Sequence, residues 1–181
     1  PTGFTDIDKQ INGMMPGQMI IIAARPSMGK TSLAMNIAEN VALKEQLPVA
    51  IFSLEMTTQD LVQRLLCSRA GVNGQKIRAG MPTQQDFPKL MKAADELAKA
   101  KMFIDETPSI SIMELRAKAR RLKQKEDIKL VIIDYLQLMR STTRRAQDNR
   151  QLEISEISSG IKALAKELNV PVIVLAQVNR N

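Results

Sequence analysis

The stretch from Met19 to Ser32, MIIIAARPSMGKTS, restricts the possible fold more than any other part of this chain. Met19 to Ala24 is an uninterrupted apolar run, which suits a buried parallel strand, read here as central in its sheet. Past the turn, Leu33, Ile37 and Val41 recur every four residues with Ala34, Ala38 and Ala42 beside them. That spacing gives one apolar helix stripe and predicts a helix from about Thr31 to Lys44. Strand, tight turn and helix in that order, with the turn closing on Gly29-Lys30-Thr31, make the signature of a phosphate-binding loop. Gly29 gives the backbone a conformation that a Cβ would obstruct. The amides that follow converge on one spot, and the helix N-terminus adds partial positive charge. Lys30 is a compact cation able to reach β- and γ-phosphates, and Thr31 can place a hydroxyl on Mg²⁺. Ala24 stands where the motif G-x-x-x-x-G-K-[ST] has its first glycine. An ordinary strand-to-helix turn that happens to contain Gly-Lys-Thr is the competing reading.

The 181 residues suit one domain with a real core, and 44% of them are apolar. Aromatics make up only 3%, so aliphatics and the 11 methionines must fill that core. No apolar run approaches the roughly 18 residues of a membrane span, and no signal-peptide pattern opens the chain. Cys67 is the only cysteine, so no internal disulfide can form, and a cytoplasmic location fits. The chain contains no histidine, which excludes His-based acid–base catalysis, His metal sites and, with one cysteine, ordinary structural zinc. A formal charge of +7 favours polyanionic partners and nothing narrower.

Four further aliphatic strands are predicted, at Val49–Leu54, Lys101–Asp105, Leu130–Asp134 and Pro171–Ala176. Residues 1–17 read as polar and turn-rich. Thr57 to Asp60 and Ser111 to Glu114 are capping boxes that open helices. The first of these helices has Leu61, Val62, Leu65 and Leu66 on its buried side; the second has Ile112, Leu115, Ala119 and Leu122. A helical turn is expected near Gln75–Arg78. Asp86 caps a helix carrying Leu90, Ala94 and Leu97, and a long helix spans about Gln147–Leu168. The Ser111 helix is strongly basic, with Arg116, Lys118, Arg120, Arg121, Lys123 and Lys125, and a solvated outer face is the plainer reading of it. Strands alternating with helices predict an α/β domain with a mainly parallel, twisted sheet and helices on both faces.

Phosphate chemistry with Mg²⁺ needs a carboxylate for the metal, a group to orient water and a group that senses the γ-phosphate. In a parallel sheet these belong at the C-terminal ends of strands. Asp134, after four aliphatics, has the Walker B pattern. Glu55 can polarise a hydrolytic water, and the Gln177 amide can hydrogen-bond a γ-phosphate oxygen. A strand-end turn cap, a solvent-facing carboxylate and a polar strand terminus are the respective plain alternatives.

Ala24-Arg25-Pro26-Ser27-Met28-Gly29-Lys30-Thr31 resembles the phosphate loop of the bacterial replicative DNA helicases, the DnaB family, in which the first glycine is commonly Ala. Phe52-Ser53-Leu54-Glu55-Met56 resembles that family's second motif, and Ile133-Asp134-Tyr135-Leu136-Gln137-Leu138-Met139 its Walker B segment. Glu153 to Ser158 and Leu175-Ala176-Gln177-Val178-Asn179-Arg180 are similar to its later motifs, and Thr2 to Asp8 to the start of its motor domain. The resemblance covers essentially the whole chain. It implies a RecA-like P-loop NTPase that binds Mg-ATP between subunits of a homo-hexamer and threads single-stranded DNA. Primase and a helicase loader are the implied partners. By family role, residues 24–32, from Ala24 to Ser32, bind nucleotide, Thr31 and Asp134 serve Mg²⁺, Glu55 activates water, and Gln177 links the γ-phosphate to a DNA loop. Arg180, Arg144 and Arg145 are the candidate DNA contacts. The family's motor domain continues past Gln177, so the arginine finger is expected outside this chain. So are the N-terminal domain and linker helix. The 181 residues alone are accordingly expected to hydrolyse ATP weakly and not to unwind DNA. A RecA- or RadA-like recombination or repair ATPase, or a circadian-clock-type ATPase, is an alternative of the same fold. A nucleotide-regulated binding module is one of another class. A small-molecule kinase lacks an identifiable acceptor pocket.

Overall fold

The computed structural model describes residues 1–134, 137, 139 and 150–178. Five strands, β1 (Met19–Ala24), β2 (Val49–Ser53), β3 (Met102–Asp105), β4 (Leu130–Asp134) and β5 (Val172–Gln177), form one sheet in the order β1-β5-β4-β2-β3. Every pairing is parallel. The helices are α1 (Thr5–Ile11), α2 (Lys30–Glu39), α3 (Thr58–Ala70), α4 (Gly74–Arg78), α5 (Asp86–Leu97), α6 (Ile112–Glu126) and α7 (Arg150–Leu168).

Because side chains alternate along a strand, the aliphatic runs supply two cores, one on each face. Val49, Ile51, Leu130, Ile132, Ile173 and Leu175 pack with α2 and α3. Ala50, Phe52, Val131, Ile133, Val172 and Val174 pack with α6 and α7. Of the three inner strands, β2 and β4 are buried at every residue, as a strand covered on both faces must be, while β5 emerges only at its last two residues.

Several details depart from the sequence reading. β1 pairs with β5 alone and is an edge strand among the described residues, with Ile21 53% exposed. A continuous aliphatic run reports strand propensity but not how many neighbours the strand has. Residues 5–11 form a helix with no buried residue, ended by Asn12 in the left-handed conformation. The helix of residues 30–44 is α-helical only to Glu39; Asn40–Lys44 is wound as π-helix, with the Glu45 N–H donating to the Asn40 carbonyl. Met35 is buried there and Leu33 only half-buried. Asp86 does not cap α5: it is the first helical residue, and its carboxylate accepts from the Thr83 N–H and hydroxyl, both at 2.7 Å. On α5 it is Ala93 that is buried, while Ala94 is exposed, and on α3 Val62 lies outside and Cys67 inside. Thr57 and Ser111 do cap α3 and α6, accepting from the Asp60 and Glu114 N–H groups. Gly160 of α7 meets Ile112 of α6 so closely that a Cβ there would fall 2.6 Å from Ile112 Cγ1. A glycine at this point lets the two helices approach.

The basic face of α6 is largely matched by acid. Arg116 and Arg120 both reach Glu167 of α7, Lys118 reaches Asp105, and Lys123 reaches Asp127. These contacts leave α6 bridged to its neighbours instead of presenting a bare cationic stripe. The two guanidiniums hold the Glu167 carboxyl down at about 2. A depressed carboxylate favours the fold above its unfolded value near 4.5, and that contribution disappears as pH falls through about 2. Wild type is therefore expected to melt above Glu167→Gln at neutral pH, with the two melting temperatures converging as the pH is lowered toward 2. A gap that persists unchanged into acid contradicts the ion-pair account.

Candidate functional site

The sheet order puts the C-terminal ends of four adjacent strands in a row: Ala24 on β1, Gln177 on β5, Asp134 on β4 and Ser53 on β2. Each strand ends in a different piece of chemistry.

After β1 the chain turns through Arg25 to Gly29, with the Met28 N–H donating to the Arg25 carbonyl. Ser27 (φ 63°) and Gly29 (φ 81°) both take the left-handed conformation. For Ser27 that costs about 1 kcal/mol, a strain of the kind that collects in ligand-holding loops. Ala24 has ordinary strand geometry, paired with Gln177, so nothing at this position requires glycine. Gly29 then caps α2, and Leu33 donates back to its carbonyl at 2.9 Å.

Thr31, in the first turn of α2, donates its hydroxyl to Asp134 Oδ2 at 2.8 Å. The Lys30 ammonium lies 4.0 Å from Asp134 Oδ1, close enough to attract and too far to hydrogen-bond. Asp134 is fully buried, and its Oδ1 has no hydrogen-bond partner among the described residues. Burial pushes its carboxyl above the usual carboxylate range and the nearby Glu55 adds to this, while the Thr31 bond, Lys30 and Arg64 pull the other way.

β2 delivers Glu55 by way of a short turn. Ser53 is buried, donates its hydroxyl to the Met56 carbonyl at 2.7 Å and accepts from the Met56 N–H at 3.2 Å. The Leu54 N–H donates to the Asp134 carbonyl at 2.6 Å. Glu55 is thus an exposed carboxylate on a turn tied to both β2 and β4.

Arg25, Pro26, Ser27, Gly29, Lys30, Thr31, Ser32, Glu55 and Gln177 line one cavity of about 240 Å³, together with Met56 and Arg64. Met28 is 72% exposed and Ala24 is held in the sheet; neither is among the lining residues. Arg144, Arg145 and Arg180 lie outside the described residues, as do Tyr135, Leu136, Leu138 and the start of the predicted Gln147 helix.

Two residues at the site carry no sequence signal that marks them for it. Arg64 is the α3 cation facing this cavity; one arginine on a helix with mixed polar neighbours is unremarkable in one dimension. Gln137 reaches Gln177 with both ends of its carboxamide. The Walker B-like segment draws attention to its Asp, and nothing in the spacing marks the Gln three residues on.

The donor set suits a hard divalent cation: a hydroxyl and a buried carboxylate with one oxygen unpartnered among the described residues. Among the described residues no cluster of acids, Cys or His could form a complete cage.

A parallel sheet that gathers a phosphate loop, a buried carboxylate, an exposed carboxylate and an amide along one edge defines an α/β, RecA-like P-loop NTPase domain. The chain belongs to the family described as DnaB-like helicase C terminal domain, whose model matches residues 1–181. It is 51% identical over 181 residues to the replicative DNA helicase DnaB of Geobacillus stearothermophilus, covering 100% of this chain and 40% of that protein. It is 49% identical over 180 residues to the replicative DNA helicase DnaC of Bacillus subtilis, covering 99% of this chain and 39% of that protein. The chain thus spans about two fifths of the length of these relatives. Among solved structures it is similar to a DnaB-like replicative helicase studied for its interactions with primase (TM-score 0.91, 36% identity, 99% of this chain and 43% of that one). A second solved structure, of an ATPase domain, matches equally well (TM-score 0.91, 36% identity, 99% of this chain and 64% of that one). The RadB recombinase, at TM-score 0.57 and 22% identity over 99% of this chain and 70% of its own, shares the fold alone. No helix among the described residues is long and apolar enough to cross a membrane.

Proposed function

We propose that this domain is the ATP-hydrolysing motor of a replicative DNA helicase, acting in the cytoplasm on single-stranded DNA as part of a homo-hexamer. The observation that carries the reading is the 2.8 Å bond from the Thr31 hydroxyl to buried Asp134, beside the phosphate loop and within one cavity edge of Glu55 and Gln177. A decorative Gly-Lys-Thr turn has no reason to aim its threonine at a buried carboxylate that sits two strands away.

In this reading the phosphates lie on the loop amides and the N-terminus of α2, and Lys30 neutralises charge on the β- and γ-oxygens. Thr31 and Asp134 would hold Mg²⁺, which would supply charge screening for the phosphates. Glu55 accepts a hydrogen bond from the attacking water and orients it toward the γ-phosphorus. Water oxygen bonds to phosphorus as the bond to the ADP oxygen breaks, and the water's proton leaves on the Glu55 side. Gln177 donates its amide to a γ-phosphate oxygen and senses its departure. Arg144, Arg145 and Arg180 are the proposed DNA contacts. Contacts of that kind grip phosphates without reading sequence and weaken with salt. Primase and a loader are the proposed partners, the former in keeping with the primase interactions of the similar helicase structure.

The deciding experiment is Mg-ATP turnover by the complete protein with and without single-stranded DNA, followed by unwinding of a forked duplex. Stimulation by DNA together with processive unwinding is the expected result. Strand exchange without unwinding points to a recombinase. ATP binding without turnover points to a nucleotide-regulated binding module.

A further inference from the structure

β5 runs further than its neighbour β4. The β4–β5 ladder pairs Val131 with Val172, Ile132 with Ile173 and Ile133 with Val174. The β1–β5 ladder continues three residues more, to Ala24 with Gln177. In a parallel pair the N–H and C=O of one residue point to the same neighbouring strand, and the next residue points to the other. The Val178 N–H donates to the Ala24 carbonyl at 3.1 Å, on the β1 side. Gln177 therefore directs its own N–H and C=O toward the β4 side, beyond the Leu130–Asp134 span of β4.

The Gln137 side chain fills that place. Its Nε2 donates to the Gln177 carbonyl at 2.8 Å, and its Oε1 accepts from the Gln177 N–H at 3.2 Å. A carboxamide has the same kinds of donor and acceptor as the backbone, so this one side chain gives Gln177 both an acceptor for its N–H and a donor for its C=O. Only a Gln-type amide does this: a carboxylate lacks the donor, and an aliphatic chain lacks both groups. The sheet is thus extended at the point where the proposed γ-phosphate contact leaves it.

We infer that Gln137 is a positioning residue for Gln177, holding the Gln177 backbone from the β4 side while the Val178–Ala24 bond holds it from the β1 side. The inference rests on the reading of Gln177 as the γ-phosphate contact. With its backbone fixed on both sides, the Gln177 side chain pivots from a set point at the rim of the cavity. The same clamp ties the chain three residues past Asp134 to the end of β5, so a shift of Gln177 on loss of the γ-phosphate is transmitted to the β4 side. In sequence, Gln137 precedes the segment with Arg144 and Arg145, and Gln177 precedes Arg180. The clamp therefore joins the roots of both proposed DNA-contacting segments.

The test is a kinetic cycle in the complete protein with three variants: Gln137→Met, which keeps length and unbranched shape but makes neither bond, Gln177→Ala, and the double variant. Gln137→Met is expected to lower DNA-stimulated kcat about tenfold, the effect of one lost transition-state contact. Its KM for ATP is expected to stay within about twofold of wild type, since the loop that binds the phosphates is untouched. Because Gln137 acts through Gln177, the double variant is expected to be no slower than Gln177→Ala. If Gln177→Ala is slow but Gln137→Met is as fast as wild type, the clamp is irrelevant and the inference is overturned. Multiplicative losses in the double variant overturn it too, since they show Gln137 acting independently. Wild-type turnover by Gln177→Ala instead overturns the underlying reading of Gln177, a separate and recognisable failure. Should Gln137→Met not fold, Gln137→Asn, too short to reach both groups, runs the same cycle with the same outcomes.

Discussion

Glu55→Gln is expected to bind ATP as well as the wild-type protein does and to turn it over about 10²- to 10⁴-fold more slowly, the span of a positioned proton acceptor. The substitution is nearly isosteric, and the turn that presents residue 55 is built by Ser53 and Met56, whose two hydrogen bonds do not involve the carboxylate. Position is therefore preserved while the charge and the second acceptor oxygen are lost. The phosphate loop and Lys30 are untouched, so affinity has no reason to fall. Removing an anion beside a site for a polyanion works in the other direction, because Glu55 is among the groups that raise the Asp134 carboxyl. A fluorescent ATP analogue for affinity and single-turnover hydrolysis for the chemical step separate the two effects. Unchanged turnover with normal binding assigns the hydrolytic role to another group and removes the main support for an ATPase built on this carboxylate.

How much of this was legible in the sequence depends on the range of the interaction involved. The five strands and their intervening helices follow from aliphatic runs and four-residue spacing, which are local. So does the placement of Asp134 and Gln177 at strand ends and of Glu55 just past one, because a polar residue closing an aliphatic run is visible in one dimension. The order of the strands is not local. The run at β1 looks as continuous as the runs at β2 and β4, although β1 has one strand neighbour among the described residues and the other two have two. Periodicity also failed by one residue on α5, where Ala93 and Ala94 differ only in which side of the helix the rest of the chain covers. The basic face of α6 could not be read as neutralised, because its largest acid partner, Glu167, is about fifty residues away on α7. Gln137 and Arg64 were invisible as site residues for the same reason: long polar side chains gain meaning from where tertiary structure delivers their ends. What the sequence did hold was the family pattern, in which Ala24 is tolerated. The geometry supplies the reason, since the left-handed positions of the loop fall at Ser27 and Gly29 and not at Ala24.

Lys30→Ala is expected to weaken ATP binding by at least about 10²-fold and to abolish measurable turnover. The side chain is only 10% exposed and stands 4.0 Å from Asp134 Oδ1, so it is already gathered at the cavity floor by the time nucleotide arrives. A unit charge about 4 Å from a phosphate oxygen is worth about 4 kcal/mol at an effective dielectric of about 20. Keeping even two thirds of that after desolvation corresponds to about two orders of magnitude in affinity. The loss has a second part. Lys30 is one of the groups that hold the buried Asp134 carboxyl down against desolvation. Without it that carboxyl rises further and is more readily protonated, which leaves a poorer oxygen donor for Mg²⁺ just where the Thr31 hydroxyl points. Lys30→Arg is not a rescue, because a planar guanidinium cannot replace a compact ammonium at the floor of a tight loop. Calorimetric titration with a non-hydrolysable ATP analogue, with and without Mg²⁺, measures both parts: the wild-type protein gains affinity from the metal, and Lys30→Ala gains less. An affinity within about threefold of wild type returns the loop to the plain alternative, a strand-to-helix turn in which Gly-Lys-Thr has no ligand.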